Sequence, residues 1–598
     1  FYFFIPPDTR SRLLSGIFRA ALYSFVLVRV NSPTPAIVAQ SAVRPLPRLA
    51  LLLLCVAYVV PGFIGRAAWK NDDVTAFGYM LSLAQGHSSW SQPLLLGLAP
   101  ETEGLLPYWL GAAALRIAPD WMSPELAARI PFAMLLALTL VATWYAVYHL
   151  ARGPGAQPVA FAFGGEAQPT DYARAMADGG LLALIACLGL AQLSHEVTAY
   201  LTQLCCATLV FYAIAGTPYR WLGPGLGLVA GMAGLVLSGA PALAVLFGLG
   251  GAWLCMFEPH EDAVARRRGF IWAAAMLLTS ALAAILAWQL DLWRWRLMLP
   301  GDGGKEWQSL GRLLLWFTWP AWPLALWTVW RWRHQLASRT IRRHLALPLW
   351  FATVAIAATL FTVPHDRALL LGLPALATLA AFALPTLSRS VAALIDWFTL
   401  LFFTGIAIFV WVIWIAMQTG FPAKPAANVA KLAPGFEPSF SLVAFLVALA
   451  ATLVWAWLVQ WRAGRHRAAI WKSLVLPAGG AALGWLLLMT LWMPLLDFAR
   501  SYAPQVSNVT RIIGLPHPEC VEVYALNRGQ ITALQHHGNF TLQHAKPQAQ
   551  CPWLVADESR TPRDTAIDAA QWTFVGKALR PADKNDNLLL YRRIKAPH

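Results

Sequence analysis

Charged side chains are scarce in this sequence. Asp, Glu, Lys and Arg make up 12% of its 598 residues, whereas 58% of the residues are hydrophobic. The mean hydropathy is +0.54. Soluble domains carry about 25% charged residues. This scarcity excludes an ordinary soluble protein, and the chain is better divided into membrane spans of about 20 residues than into soluble domains.

Acidic residues are fewer than basic ones, 29 against 45, which leaves a formal net charge of +16. Such an excess can mark a nucleic-acid-binding protein, but the basic residues here gather in short clusters between apolar runs, at 265–269, 331–344 and 462–467. This distribution is typical of the positive-inside rule, which sets the orientation of membrane spans. No nucleic-acid-binding module is visible, so we predict no nucleic-acid partner.

Cysteine is also scarce, with seven residues and no spacing typical of a metal site. Five of the seven lie in apolar runs and are interpreted as small buried hydrophobic residues. Cys520 and Cys551 are the two in the polar C-terminal tail. If that tail lies outside the cytosol, a disulfide between them is predicted.

Long apolar runs predict about thirteen transmembrane helices. The motif "LSGAP" (237–241) leaves open whether 222–257 forms two short helices or one kinked segment. The runs are 47–64, 128–151, 177–193, 197–216, 222–238, 240–257, 269–290, 312–332, 345–363, 367–385, 391–416, 439–461 and 468–493.

The positive-inside rule orients these spans. With the N-terminus inside, every basic cluster falls in a connection after an even-numbered span, and most acids fall in the other connections and the tail. We therefore predict a cytoplasmic segment at 1–46, a transmembrane domain at 47–493 with its first outer loop at 65–127, and an extracytoplasmic domain at 494–598. We assign no function to 1–46, which lacks a clear signal-peptide pattern.

The tail is predicted to be a small α/β unit, because "ECVEVYALN" (519–527) and "NLLLYRRI" (587–594) alternate like strands. In the first outer loop, "DDVTAFGYMLSLAQG" (72–86) has helical spacing, with Asn71 or Asp72 as its N-cap. A second amphipathic helix is predicted in "LLPYWLGAAALRIAP" (105–119). The simplest interpretation is two helices lying flat on the outer surface.

These loop residues resemble the GT-C membrane glycosyltransferases, above all the aminoarabinose–lipid A transferases and the protein O-mannosyltransferases. The likeness lies in "DDVTAFGYM" (72–80) and "ETEGLLPYWLGAAAL" (101–115), where members typically read Asp-Glu, and Glu-Lys-Pro-Pro followed by Tyr-Trp. It covers roughly 47–385 and the tail, with weaker likenesses at 128–147, 190–202, 227–243 and 361–381.

The resemblance implies a GT-C-like, α-helical polytopic protein of the bacterial inner membrane, with its outer loop and tail in the periplasm. It implies transfer of a sugar from a polyprenyl-phosphate donor to lipid A, another glycolipid, a cell-wall polymer or a protein. Membrane lipids are the other expected partners. The acceptor hydroxyl or phosphate would attack the anomeric carbon as the lipid phosphate leaves. No cofactor is required by this chemistry, while a divalent metal stays open, with Glu103 as its candidate ligand.

The resemblance also assigns roles to residues. By its place in the motif Asp72 is the base that accepts a hydroxyl proton, with Asp73 as its catalytic neighbour. Arg367 or His365 would stabilise the leaving phosphate. The full set of predicted substrate-binding residues is Glu103, Tyr108, His195, Glu196, His365 and Arg367.

Two family lysines that would contact the donor phosphate are replaced here by Gly104 and Ser238. Phosphate binding then comes from elsewhere, or the donor differs, or this member is less active. The acidic pair could also merely cap a helix, and the other polar residues merely occupy short connections. Two further functions therefore stay open. A transporter would need charged residues deep in the bundle, and a non-catalytic scaffold would tolerate loss of the acidic pair.

Overall fold

The computed structural model describes residues 34–594, except 71, 101–103, 260–261, 294–303, 339, 363–364, 464–468, 561–566 and 584. Most of the predicted cytoplasmic segment 1–46 therefore lies outside the described residues. The helices of the first half of the chain are α1 Arg48–Val59, α2 Asp72–Ala84, α3 Leu106–Ile117, α4 Pro124–Ala151, α5 Pro169–Ala186, α6 Leu188–Leu193, α7 Ala199–Gly216, α8 Leu222–Leu237, α9 Pro241–Phe257 and α10 Ala263–Gln289.

The second half of the chain continues the helical bundle and adds a small sheet. Its helices are α11 Gly304–Phe317, α12 Ala321–Arg331, α13 Arg333–Leu336, α14 Arg343–Phe361, α15 His365–Leu370, α16 Leu373–Ala383, α17 Arg389–Thr419, α18 Ala423–Leu432, α19 Leu442–Ala463, α20 Lys472–Leu488, α21 Met493–Arg500, α22 Ala503–Ile513 and α23 Arg528–Gly538. Its strands are β1 Val521–Tyr524, β2 Leu542–His544, β3 Trp553–Asp557, β4 Trp572–Ala578 and β5 Leu588–Arg593.

Each predicted apolar run contains at least one helix. Among the described residues, six helices are long and apolar enough to cross a membrane, and α20 with α21 forms a seventh span if the pair, bent by 67°, is counted as one. The run 222–257 forms two helices joined by a turn in which Gly239 has a φ of +85°. The count of thirteen crossings stays a prediction, because several helices are short and 177–193, 312–332 and 367–385 are each broken in two.

Several connections between helices meet at each of two ends of the bundle. At one end, which we call the basic end, Gln335 donates a hydrogen bond to the carbonyl of Gly155, and Arg343 lies 2.6 Å from Glu258. At the other, the acidic end, Arg66 donates a hydrogen bond to the carbonyl of His195, and the indole N–H of Trp69 donates one to Asp497. Which end faces the periplasm stays a prediction.

The C-terminal unit is a five-stranded mixed sheet with the order β2-β1-β3-β5-β4. The first three strands pair in parallel, and β3, β5 and β4 pair antiparallel. Helix α23 leads from β1 to β2 and begins with a capping box between Asn527 and Gln530, which satisfies the free N–H groups of its first turn. Cys520 and Cys551 are joined by a disulfide beside β1 and β3.

Helix α2 does not lie on an open surface as the sequence predicted. Nine of its thirteen residues are buried, since α3 covers one side and α23 of the C-terminal unit covers another. The approach to α23 is close: a Cβ atom on Gly78 would lie 2.0 Å from the hydroxyl of Thr532. An all-round apolar helix needs cover on more than one face, and the C-terminal unit supplies it.

Candidate active site

Asp73 is buried at the acidic end, where it joins three parts of the chain. Its Oδ2 atom lies 2.7 Å from Nη1 of Arg66 and 3.8 Å from Nη2 of Arg129, on α4. Its Oδ1 atom accepts a hydrogen bond from the backbone N–H of Val197, and Oδ2 accepts one from that of Trp69. With two cations and two amides around it, this carboxylate holds the start of α2 against the bundle.

The pKa of Asp73 follows from these contacts. Burial alone would raise it, but Arg66, Arg129 and the two backbone N–H groups favour the ionised form and hold the pKa below its usual value. A base must accept a proton, and a buried carboxylate held by two arginines does so poorly. We therefore interpret Asp73 as a residue that positions α2.

Asp72, its neighbour in sequence, is placed very differently. Its side chain is 41% exposed, and Oδ2 lies 3.3 Å from Nη2 of Arg367. The same guanidinium, on α15, places Nη1 2.6 Å from Oε2 of Glu196. Arg367 therefore bridges two carboxylates at the acidic end, and the cluster of Asp72, Glu196 and Arg367 brings together three of the predicted site residues.

Glu196 lies in the short connection between α6 and α7 with its side chain 10% exposed. Its Oε1 atom accepts a hydrogen bond from Gln192. Burial raises the pKa of Glu196, and the ion pair with Arg367 opposes that rise only in part. Glu196 is therefore easier to protonate than an exposed glutamate, which would weaken its hold on Arg367.

Of the other predicted substrate-binding residues, some are buried, and the rest lie outside the residues that the structure describes. Tyr108 is 4% exposed and packs against the ring of Tyr79. His195 is 1% exposed, and its ring nitrogens face the carbonyl oxygens of Ala191 and Tyr58. Both side chains join elements of the fold, and neither is open to a substrate. Glu103 and the side chain of His365 lie outside the described residues.

Gly104 and Ser238, the two positions where the family has lysines, lie against each other. A Cβ atom on Gly104 would be 2.9 Å from the backbone carbon of Ser238. The backbone N–H of the neighbouring Leu105 donates a hydrogen bond to the carbonyl of Leu237. The side-chain amide of Gln203 donates a hydrogen bond to the carbonyl of Ser238. The two departures from the family pattern therefore meet in one backbone contact, where a lysine at 104 would need the chain to move.

No pattern in the sequence predicted that Lys70 and Arg580 tie the acidic end to the C-terminal unit. Lys70 lies 2.7 Å from Asp583 and 2.8 Å from Asp586. Arg580 lies 2.7 Å from the same Asp586 carboxylate. The partners of Lys70 are more than 500 residues away in the sequence, so no local pattern could predict these contacts.

Comparisons with known proteins add a fold-level match. No protein-family model and no curated protein matches the chain. Similar solved structures include ArnT from Cupriavidus metallidurans, at 15% identity and a TM-score of 0.56. The apo structure covers 91% of this chain and 98% of its own, and the structure bound to undecaprenyl phosphate covers 92% and 99%. The chain therefore has the fold of these ArnT structures, which is the fold that the resemblance in the sequence implies.

Proposed function

We propose that this protein transfers a sugar from a polyprenyl-phosphate donor to an acceptor at the acidic end of the bundle, with a lipid A-like lipid as the preferred acceptor class. The observation that carries the proposal is the cluster of Asp72, Glu196 and Arg367 in a chain with the fold of ArnT. One of the similar ArnT structures holds undecaprenyl phosphate, which favours a lipid phosphate as ligand.

In this proposal Asp72 is the general base. Its carboxylate is the accessible one of the acidic pair, so it can reach an acceptor hydroxyl, whereas Asp73 is enclosed by Arg66 and Arg129. As the acceptor oxygen bonds to the anomeric carbon, its proton passes to Asp72. The bond from that carbon to the phosphate oxygen breaks, and its electron pair leaves with the polyprenyl phosphate. A phosphate acceptor would need no base.

Arg367 would stabilise the leaving phosphate. Its guanidinium carries two N–H groups that already point at carboxylate oxygens, and a phosphate oxygen could take the place of either one. The exchange is easier when Glu196 is protonated, because one of the two competing negative charges is then removed. Asp72 remains beside the same cation, so the base and the phosphate site share one guanidinium.

A non-catalytic scaffold is the second candidate. The contact between Gly104 and Ser238 favours it, because neither position offers a cation to a phosphate. A scaffold would still need Asp73, which holds the fold together, but it would not need Asp72 to be ionisable. The two candidates therefore differ in what they require of the accessible carboxylate.

The test is transfer from a radiolabelled polyprenyl-phosphate sugar pool in membranes that contain the protein. We expect label to move into the lipid fraction with the wild type and with Arg511→Gln, which alters an exposed arginine in the last turn of α22. We expect Arg367→Gln to lose transfer. Label in the protein fraction would change the acceptor class, and no transfer with any donor would reject the enzyme in favour of a scaffold or transporter.

A further inference from the structure

Glu125, His536 and His537 form a second polar cluster, which shares no residue with the cluster of Asp72, Glu196 and Arg367. Their potential ligand atoms all lie within 4.8 Å of one another, and all three side chains are half-buried. Nε2 of His536 lies 2.7 Å from Oε1 of Glu125. The cluster spans two units, since Glu125 begins α4 of the bundle and the histidines end α23 of the C-terminal unit.

Both helices hold these side chains firmly. The hydroxyl of Ser123 caps α4 by accepting the N–H of Leu126, next to Glu125. The ring of Phe77, on α2, packs edge-on against His536 at a centroid distance of 5.0 Å. Ligands on capped helices keep their relative positions better than ligands on loops, which is what a metal site requires.

We propose that Glu125, His536 and His537 bind a divalent transition metal ion such as Zn²⁺, with a fourth position left to water. Two imidazoles and one carboxylate are a ligand set of tetrahedral zinc, whereas Mg²⁺ and Ca²⁺ prefer oxygen ligands alone. Zinc bonds of about 2.0–2.1 Å place tetrahedral ligand atoms about 3.3 Å apart. Oε1 of Glu125 and Nε2 of His536, which are 2.7 Å apart, therefore have to separate slightly, and ligand atoms as far apart as 4.8 Å have to approach each other.

The position of His537 distinguishes a metal site from a simple ion pair between Glu125 and His536. Glu125 and His536 already contact each other, so that pair alone explains their closeness. His537 adds a second imidazole that the ion pair does not need.

A metal bound here would fasten the C-terminal unit to the bundle. The metal would join α4 to α23. The site would lie beside α2, because the ring of Phe77 on α2 contacts His536. The expected consequence is a fold whose C-terminal unit separates less easily from the bundle when zinc is present. This role is independent of sugar transfer.

The test uses the full chain, purified in detergent without a histidine tag and stripped with a chelator. After incubation with ZnCl₂ and desalting, elemental analysis counts zinc per chain, and competition with a chromophoric chelator measures affinity. We expect one zinc per chain and a higher midpoint of thermal unfolding. His537→Ala and Glu125→Gln should weaken zinc binding by more than about tenfold, since even an indirect partner of a ligand contributes about 10–100-fold.

His517→Ala is the matched control, because this exposed histidine lies in the same unit and packs against the ring of Phe540. It should bind zinc like the wild type. The proposal is overturned if stripped wild type takes up no zinc, or if His537→Ala binds zinc as tightly as wild type. An equal loss of zinc binding in His517→Ala would likewise reject the proposal, since zinc binding would then not be specific to the cluster.

Discussion

Asp73 and Arg66 form an ion pair in which both side chains are only 2% exposed, with 2.7 Å between Oδ2 and Nη1. The residue before it, Asp72, has its side chain 41% exposed and faces Arg367 instead. Two neighbouring carboxylates of the same motif thus have different surroundings. One is enclosed by cations that belong to the fold, and the other is partly exposed to solvent.

Asp73→Asn is expected to destabilise the protein far more than Asp72→Asn. Removing one charge of a buried pair leaves Arg66 and Arg129 without compensation, which costs about 3–5 kcal/mol. Thermal unfolding in detergent measures the difference, with Asp72→Asn expected close to wild type. Equal stability of the two variants would show that the buried pair is not what holds α2.

The same pair predicts a pH dependence. The pKa of Asp73 is lower in the folded state than its ordinary 3.8, so its contribution to stability is complete above that pH and is lost as the pH falls through the lower folded value. Wild type and Asp73→Asn should therefore differ in unfolding midpoint at about neutral pH and converge only in strong acid. Convergence near neutral pH would contradict the account.

Glu196→Gln is expected to strengthen binding of undecaprenyl phosphate at neutral pH. Burial raises the pKa of Glu196, so its negative charge is lost as the pH falls through that raised value, and Arg367 then has one less carboxylate to hold. Wild-type affinity should rise as the pH is lowered, more steeply than in Glu196→Gln. The ligand phosphate titrates equally in both proteins, so identical pH profiles would contradict a competition for Arg367.

Gly104→Ala is expected to lower stability by about 1–3 kcal/mol, because its methyl group would press on the backbone of Ser238. Gly405→Ala is the control: this exposed glycine lies inside α17, and a Cβ atom there meets nothing within 4 Å. Alanine also suits a helix better, so Gly405→Ala should be neutral or slightly stabilising. Equal effects of the two changes in thermal unfolding would argue against a close contact at Gly104.

Loss of the disulfide should weaken the C-terminal unit. Cys520 and Cys551 are 31 residues apart, and closing a loop of that size contributes about 3–4 kcal/mol in the chain-entropy account. We expect a Cys520→Ser, Cys551→Ser double variant to be digested faster by protease within 514–594. Cys55→Ser, which alters a free cysteine, should not change the rate.

Hydropathy predicted where helices lie, because an apolar run long enough to span a membrane has few other conformations. It did not predict the breaks. Pro320 stands at the gap between α11 and α12, and a proline cannot continue the hydrogen-bond ladder of the helix before it. Alternation predicted two of the five C-terminal strands, β1 and β5, but the other three strands and the mixed order of the sheet depend on pairings between residues far apart in sequence.

The sequence predicted which residues belong to the candidate site, but it did not predict which of them are buried in the fold and which are exposed. Asp72 and Asp73 look alike in sequence, and Arg129, which helps to enclose Asp73, comes from another helix. His195 and Glu196 are likewise neighbours, yet the imidazole points into the core and the carboxylate reaches Arg367. Such differences follow from the direction of each side chain in the packed fold.

The most direct test of the central claim compares transfer rates of wild type, Asp72→Asn and Glu437→Gln, the last of which alters an exposed acid in the connection after α18. All three are assayed at matched expression, with undecaprenyl phosphate binding measured in parallel. The account predicts that Asp72→Asn loses about 10²-fold or more in transfer rate while still folding and binding the lipid phosphate, and that Glu437→Gln keeps the wild-type rate. Undiminished transfer by a folded Asp72→Asn would contradict the assignment of Asp72 as the base.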